Sequence, residues 1–207
     1  MLLPLAAKFI APTREMRKMA VLMAIRNDPD ISQHKLGRLA GLSSSMANNY
    51  VKELRGQRLI SITGQTNRTQ RYHLTAAGRQ ALVEALIDYS AEIIRLYIAA
   101  KADLAERLRQ MAEADIRTVA LYGASGTAEV VYAALKETPL TVVAVFDSDP
   151  GKHGQDFNNF TIQPPEALTA LAADAVVITS FAKQEEIHRL IHQQIGDRMP
   201  ICKLSEF

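Results

Sequence analysis

Apolar positions recur at helical spacing three times in the first sixty residues, and then the pattern changes to alternation. "TREMRKMAVLMAIRNDPD" predicts a helix capped by Thr13, with Met16, Met19, Ala20, Met23 and Ala24 on one face and a stop at Asn27–Pro29. "ISQHKLGRLAGLS" predicts a shorter helix, with Ser32 as cap, a stripe of Leu36, Leu39 and Ala40, and a turn at Gly41. "SSSMANNYVKELRGQRLI" predicts a third, capped by Ser43 or Ser44 and ended by Gly56, whose inward positions are Ala47, Tyr50, Val51 and Leu54. "RLISIT" and "RYHLT" then alternate apolar and polar, as a two-stranded ribbon does, around the polar loop "GQTNRTQ".

From Thr75 to about Glu113 no proline occurs, and after Gly78 no glycine. Leu82, Leu86, Tyr89, Ile93, Leu96 and Ala100 alternate by four and three, and the seam resumes one place later at Leu104, Leu108 and Met111, as in a stutter. A helix of about 35 residues would span roughly 50 Å. One apolar seam of that length predicts pairing with a second copy, the alternative being two helices broken near Ala99–Ala102 and packed within one subunit.

The remaining ninety residues alternate strand and helix. "RTVALYGAS", "LTVVAVFDSD", the short "FTI", "ADAVVITS" and "PICKL" predict strands. "GTAEVVYAALKE", a short Pro-led helix at "PPEALTAL", and "FAKQEEIHRLIHQQIG" predict helices. Near-continuous apolar strands with helices between them predict a parallel sheet covered on both faces. The fold class expected is therefore an α+β winged helix-turn-helix, a long helix, and an α/β Rossmann-like unit with a five-stranded parallel sheet. The boundaries fall at residues 1–78, 79–115 and 116–207.

Charge sharpens this division. Residues 1–78 carry 12 Lys/Arg against 4 Asp/Glu, whereas residues 79–207 carry 12 against 18, so an overall charge of +2 separates into +8 and −6. A basic lobe joined to an acidic one is the footprint of a nucleic-acid binder with an attached module. On the third helix, Ser44, Ser45, Asn48, Asn49, Lys52 and Arg55 are left on the outer face, a short polar and basic surface suited to base edges and phosphates in a major groove. Arg68 and Arg71 in the ribbon add phosphate contacts, with base contacts expected from Asn48 and Asn49. The N-terminal "MLLPLAAKFIAP" is too short and too interrupted by proline for a membrane span, and lacks the flanks of a signal peptide. A single cysteine fits a reducing, cytoplasmic setting.

"LAGLSSSMANNYVKELRGQRLI" followed by "RYHLTAAG" resembles the MarR-type winged-helix regulators, whose last ribbon strand runs into an "LT..G" helix start. The likeness covers roughly residues 14–80 and implies binding of double-stranded DNA, and a reader of two half-sites needs the homodimer that the long helix predicts. A winged helix used for protein contacts is the alternative.

The turn G-A-S-G-T-A after the first strand of the last unit lacks the middle glycine of G-x-G-x-x-G, with Ser125 in its place. Amides at the helix start, with the Ser125 and Thr127 hydroxyls, suit a phosphate, and Gly123 and Gly126 allow close approach. Asp147, about twenty residues on, stands where a ribose-binding acid belongs, and Ser180 ends the strand "ADAVVITS". In the alternative, the glycines serve only strand–helix packing and Asp147 starts a turn. "FDSDPGKHG", with its flanks, is similar to the small Rossmann-like domains associated with nucleotide-sugar and surface-polysaccharide enzymes. Asp147, Asp149, Pro150, Lys152 and Gly154 match their pattern, while Ser148 and "NNFTI" depart from it. That resemblance implies a dinucleotide or a nucleotide-sugar as ligand, in a frame that serves CoA-like binders as well. The layout also resembles the Rex redox repressors, which lack the long connector and end in a swapped helix absent here.

Other chemistry is sparse. His188 and His192 lie four apart on a helix near Glu185, with no evident third metal ligand, and a solvated helix face accounts for them. Cys202 suits an inert thiol in an apolar strand. No Ser/His/Asp constellation appears, so an enzyme is not expected. The competing expectation is a small NAD- or nucleotide-sugar-dependent enzyme whose winged helix serves oligomerisation.

Overall fold

A computed structural model describes residues 11–64 and 69–205, which fall in two compact units, 1–95 and 96–207. In the first unit α1 (Arg14–Asn27), α2 (Gln33–Ala40) and α3 (Ser44–Gly56) are each capped by a hydroxyl. The side chains of Thr13, Ser32 and Ser43 accept from the amides of Met16, Lys35 and Met46 at 3.1, 3.2 and 3.3 Å. α2 ends at Gly41 in the left-handed conformation (φ 63°).

α1 is buried more widely than its predicted stripe. Val21, Leu22 and Ile25 join Met19, Ala20 and Ala24 in the core, because α2, α3 and the ribbon strand after them all pack on this helix. Leu39, expected inside, is 52% exposed, and Leu36 and Ala40 carry the contact of α2 instead. β1 (Ile60–Thr63) and β2 (Arg71–Leu74) pair antiparallel, Ile60 opposite Leu74 and Thr63 opposite Arg71. The Tyr72 N–H donates to Pro29 O at 2.9 Å, tying the ribbon back to the end of α1, and the Tyr72 ring is buried.

α4 (Ala76–Glu113) is one unbroken helix of 38 residues, without the break near Ala99–Ala102. Its start is locked by Thr75, whose hydroxyl donates to Arg58 O and accepts from the Gly78 amide at 2.8 and 2.9 Å. A Cβ at Gly78 would lie 1.8 Å from Leu59 O, so the residue there has to be glycine. The predicted seam divides between the two units. Leu82 is buried in the first, with Leu86 and Tyr89 packed against its core. Leu104, Leu108 and Met111 are core residues of the second, covering a sheet face rather than lying open to a second copy. Between them Ile93 and Leu96 are exposed, as are Ile87, Ile94, Tyr97 and Ile98.

The second unit is built on β3 (Thr118–Tyr122), β4 (Thr141–Phe146), β5 (Asp156–Phe157), β6 (Phe160–Gln163), β7 (Ala175–Ile178) and β8 (Ile201–Lys203). The sheet has six strands, not five, in the order β5-β6-β4-β3-β7-β8. The five expected strands are parallel, and β5 is antiparallel at the edge. The extra strand comes from a hairpin at Asn158–Asn159, both with positive φ (51° and 71°), a turn that favours asparagine. Successive residues divide between the faces. Val119, Leu121, Val145 and Val177 pack with α4 and with α5 (Gly126–Leu135), whereas Ala120, Tyr122, Phe146, Val176 and Ile178 pack with Leu168 and α6 (Gln184–Ile195). Residues Pro165–Ala170, predicted as a short α-helix, form a 3-10 helix.

Candidate functional site

Two regions gather the residues singled out by the sequence. On α3, Ala47, Val51 and Leu54 face the core, which leaves Ser44, Ser45, Asn49, Lys52 and Arg55 exposed and Asn48 half-buried. These six therefore share the face predicted for them. α3 is held against α1 by Glu53, which takes Lys18 and Arg14 at 2.6 and 3.0 Å. Those two contacts, Lys18 first, hold the Glu53 carboxyl below the usual range. Two assignments differ from a simple open face. Ser45 Oγ lies 3.0 Å from the capping Ser43 Oγ, and Arg71 Nε pairs with Asp30 Oδ1 at 2.8 Å, so a phosphate would compete with Asp30 for this arginine. Arg68 lies outside the described residues.

The second region is the turn between β3 and α5. From β3 the chain passes to β4 on one side of the sheet, and β7 lies on the other, so the carboxyl ends of β3 and β7 flank a topological switch point. Gly123 adopts φ 110°, and a Cβ there would sit 2.9 Å from Thr179 Oγ1. The Thr179 hydroxyl lies 2.9 Å from Tyr122 O and 2.5 Å from Gly123 O, welding the two strand ends together, with the half-buried Ser180 next in the chain. Ser125 is the exposed N-cap of α5 and makes no side-chain capping bond. A Cβ at Gly126 would meet nothing within 4 Å, so this glycine is not required by packing within the chain.

Asp147 is 6% exposed and lies beneath the turn. Its Oδ2 accepts from Ala124 N–H at 2.7 Å and pairs with Lys152 Nζ at 2.8 Å, and its Oδ1 accepts from Asp149 N–H at 2.8 Å. Burial pushes its pKa up, but Lys152 and the two amides outweigh burial and hold the carboxyl below the usual range. His153 Nε2 lies 2.8 Å from Asp147 O. Asp147 thus binds the turn to the "SDPGKH" loop, and a ribose hydroxyl would have to share a carboxylate already engaged by three donors. The match of Asp147, Asp149 and Lys152 to one motif has a geometric basis, since all three meet at this carboxylate.

Gly126 and Thr127 line a cavity of about 420 Å³ whose walls come from segments far apart in the sequence. Its other walls include Asp103, Leu104 and Arg107 of α4, together with Phe181, which is 60% exposed. Gly123, Ser125, Asp147 and Ser180 are not among its lining residues. The spacing of Asp103 and Arg107 marked only a stutter in the seam, and Phe181 lay in an unremarkable loop.

Among the described residues no cluster of three or more His, Cys, Asp or Glu suits a metal ion. His188 and His192 stack at 6.3 Å, and His192 faces Asp197 at 3.1 Å. No described helix is long and apolar enough to cross a membrane.

Residues 115–200 match the family model described as C2185-like, N-terminal, over fewer than half of the 207 residues. No curated protein matches the chain. Solved structures similar to it include a MarR family protein of Mycobacterium tuberculosis in complex with p-aminosalicylic acid, at 21% identity over 47% of this chain and 75% of that one, with a TM-score of 0.37. The PcaV transcriptional regulator of Streptomyces coelicolor is 23% identical over 48% and 77%, with a TM-score of 0.36. BpsR of Bordetella bronchiseptica, whose DNA binding is regulated by 6-hydroxynicotinic acid, is 20% identical over 46% and 77%, with a TM-score of 0.34.

Proposed function

We propose that this chain is a homodimeric, DNA-binding transcriptional regulator whose second unit senses a nucleotide-type ligand, a dinucleotide or a nucleotide-sugar. One observation carries the reading: α3 buries Ala47, Val51 and Leu54 and leaves a continuous polar and basic face, within a lobe of net charge +8. A helix presented this way after a helix–turn, with a two-stranded ribbon behind it, suits the major groove of double-stranded DNA. Ser44, Ser45, Asn48 and Asn49 would meet base edges, and Lys52, Arg55, Arg68 and Arg71 phosphates.

Pairing through α4 is supported by its exposed apolar residues Val83, Ile87, Ile93 and Ile94. An exposed helix face this apolar is seldom left to water. A dimer also suits two half-sites one helical turn apart. The ligand reading is supported by the switch-point turn and by the open approach over Gly126. In it, the turn from Gly123 to Thr127 takes the phosphate, Ser180 lies beside it, and Asp147 shares its carboxylate with a sugar hydroxyl. Ligand binding would act on the recognition helices through α4.

The test is duplex binding by the full chain across a salt series. A regulator that neutralises several phosphates loses about a hundredfold or more in affinity between roughly 50 and 200 mM salt. Absence of any duplex binding at low salt would overturn the reading.

A further inference from the structure

The cavity beside the turn has an unusual wall. All of its lining residues belong to the second unit, and four of the nine come from α4, the helix that runs from the first unit into the second. The walls are mostly apolar, with Leu104, Leu204 and the exposed face of Phe181, and Arg107 Nε on them pairs with Asp103 Oδ2 at 2.8 Å. A volume of about 420 Å³ lies within the range of small-molecule sites. Apolar walls, one half-exposed aromatic ring and a single guanidinium suit a planar ring system joined to an anionic group.

We propose that the ligand site of the second unit extends from the turn, across Gly126 and Thr127, into this cavity, that it takes a nucleoside diphosphate group, and that Arg107 on α4 shares the diphosphate with the turn while Phe181 packs on the base. The inference rests on the nucleotide-sensing reading above and goes beyond it by placing the key contact on the connector helix. On binding, the Arg107 guanidinium turns from the Asp103 carboxylate to the phosphate. The guanidinium fork serves either partner in two-point geometry. Thr127 lines the same cavity and contributes a hydroxyl to the anion. The exchange alters an i,i+4 ion pair on α4 itself, so occupancy is registered on that helix with no intermediary.

The experiment titrates the full-length protein with a fluorescent nucleoside diphosphate, mant-ADP, with unlabelled ADP and inorganic phosphate as competitors. Arg107→Ala is expected to weaken mant-ADP at least tenfold, and Arg107→Lys less, because Lys keeps the charge and loses the fork. Asp103→Asn removes the competing carboxylate and is expected to strengthen binding by threefold or more. A merely structural ion pair would not give this opposite response. Phe181→Ala is expected to weaken mant-ADP while leaving inorganic phosphate unchanged. Thermal melts of each variant confirm folding. If Arg107→Ala and Asp103→Asn both leave mant-ADP affinity unchanged, or both weaken it, while Gly126→Val abolishes it, the α4 contact is wrong and nucleotide sensing at the turn stands. If the wild-type protein shows no saturable, ADP-competed signal, the nucleotide reading falls together with this site.

Discussion

Asp147 Oδ2 accepts the backbone N–H of Ala124 at 2.7 Å, linking the end of β4 to the turn that follows β3. The same oxygen pairs with Lys152, so a buried carboxylate fixes both the turn and the loop beyond β4. Removing it leaves a half-buried amide and a lysine without this partner. Asp147→Ala is expected to destabilise the second unit by about 1–3 kcal/mol, the usual cost of leaving such a donor unpaired. Urea unfolding followed by far-UV circular dichroism checks this, and an unchanged midpoint would show that the clamp is dispensable.

The same carboxylate has a pH signature. Its folded pKa is held below the value of about 3.9 typical of an unfolded aspartate. A depressed folded pKa gives stabilisation that is complete above the unfolded value and is lost as pH falls through the folded one. Wild-type stability should therefore fall steeply below about pH 4. Asp147→Asn should start lower at pH 7 and show a shallower fall. Parallel acid limbs for the two proteins would assign the loss to other carboxylates.

The contrast between two glycines tests how the chain uses this residue. Gly78→Ala places a methyl against Leu59 O and is expected to destabilise the first unit by about 1–3 kcal/mol, as overpacking against backbone does. Gly126→Ala enters open space and is expected to change stability by less than about 0.5 kcal/mol. Both follow from thermal melts. If Gly126→Ala proves the more damaging, the turn is under a packing constraint that its geometry does not show.

The sequence pattern made most of the elements visible and few of their partners. Helical spacing located α1, α3 and α4, and apolar runs located the parallel strands, because burial on one face or two leaves a period that can be counted. Leu39 was misplaced because α2 is only eight residues long, and a stripe of three apolar residues does not fix which two are covered. The division of the α4 seam was hidden for another reason. Leu104 and Leu108 have the spacing of a coiled coil whether they meet a second copy or a sheet. The hairpin at Asn158–Asn159 shows in the sequence only as two asparagines, inside a stretch that departs from the motif around it. In the candidate site, the turn was legible from its glycines, whereas Arg107 and Phe181 were not, since they come from distant segments joined only by the fold.

The recognition face predicts two distinct failures. Asn49 is exposed on the outer side of α3, and its amide suits two-point contact with a base edge. Asn49→Ala should cost about 1–3 kcal/mol on the preferred duplex and relax preference at one base pair. Lys52→Ala should weaken all duplexes alike and lower the salt slope by about one. Fluorescence anisotropy on preferred and scrambled duplexes separates the two. Normal binding by both variants would remove α3 from the interface.

Linkage between the two units gives the most demanding test. If a nucleotide bound over Gly126 changes affinity for DNA, DNA must change affinity for that nucleotide by the same factor. Couplings of this kind are typically about 5- to 150-fold, well within the range of calorimetry. The measurement is ADP affinity of the full chain, with and without a saturating preferred duplex. Gly126→Val, which adds bulk where the approach to the turn is open, should abolish ADP binding while leaving duplex affinity in the absence of ADP unchanged. A Val side chain at that position lies on the surface of the second unit, so the first should keep its fold and its α3 face. Equal ADP affinities in the presence and absence of duplex would mean that the second unit binds its ligand without informing the first, and the sensor reading would have to be abandoned.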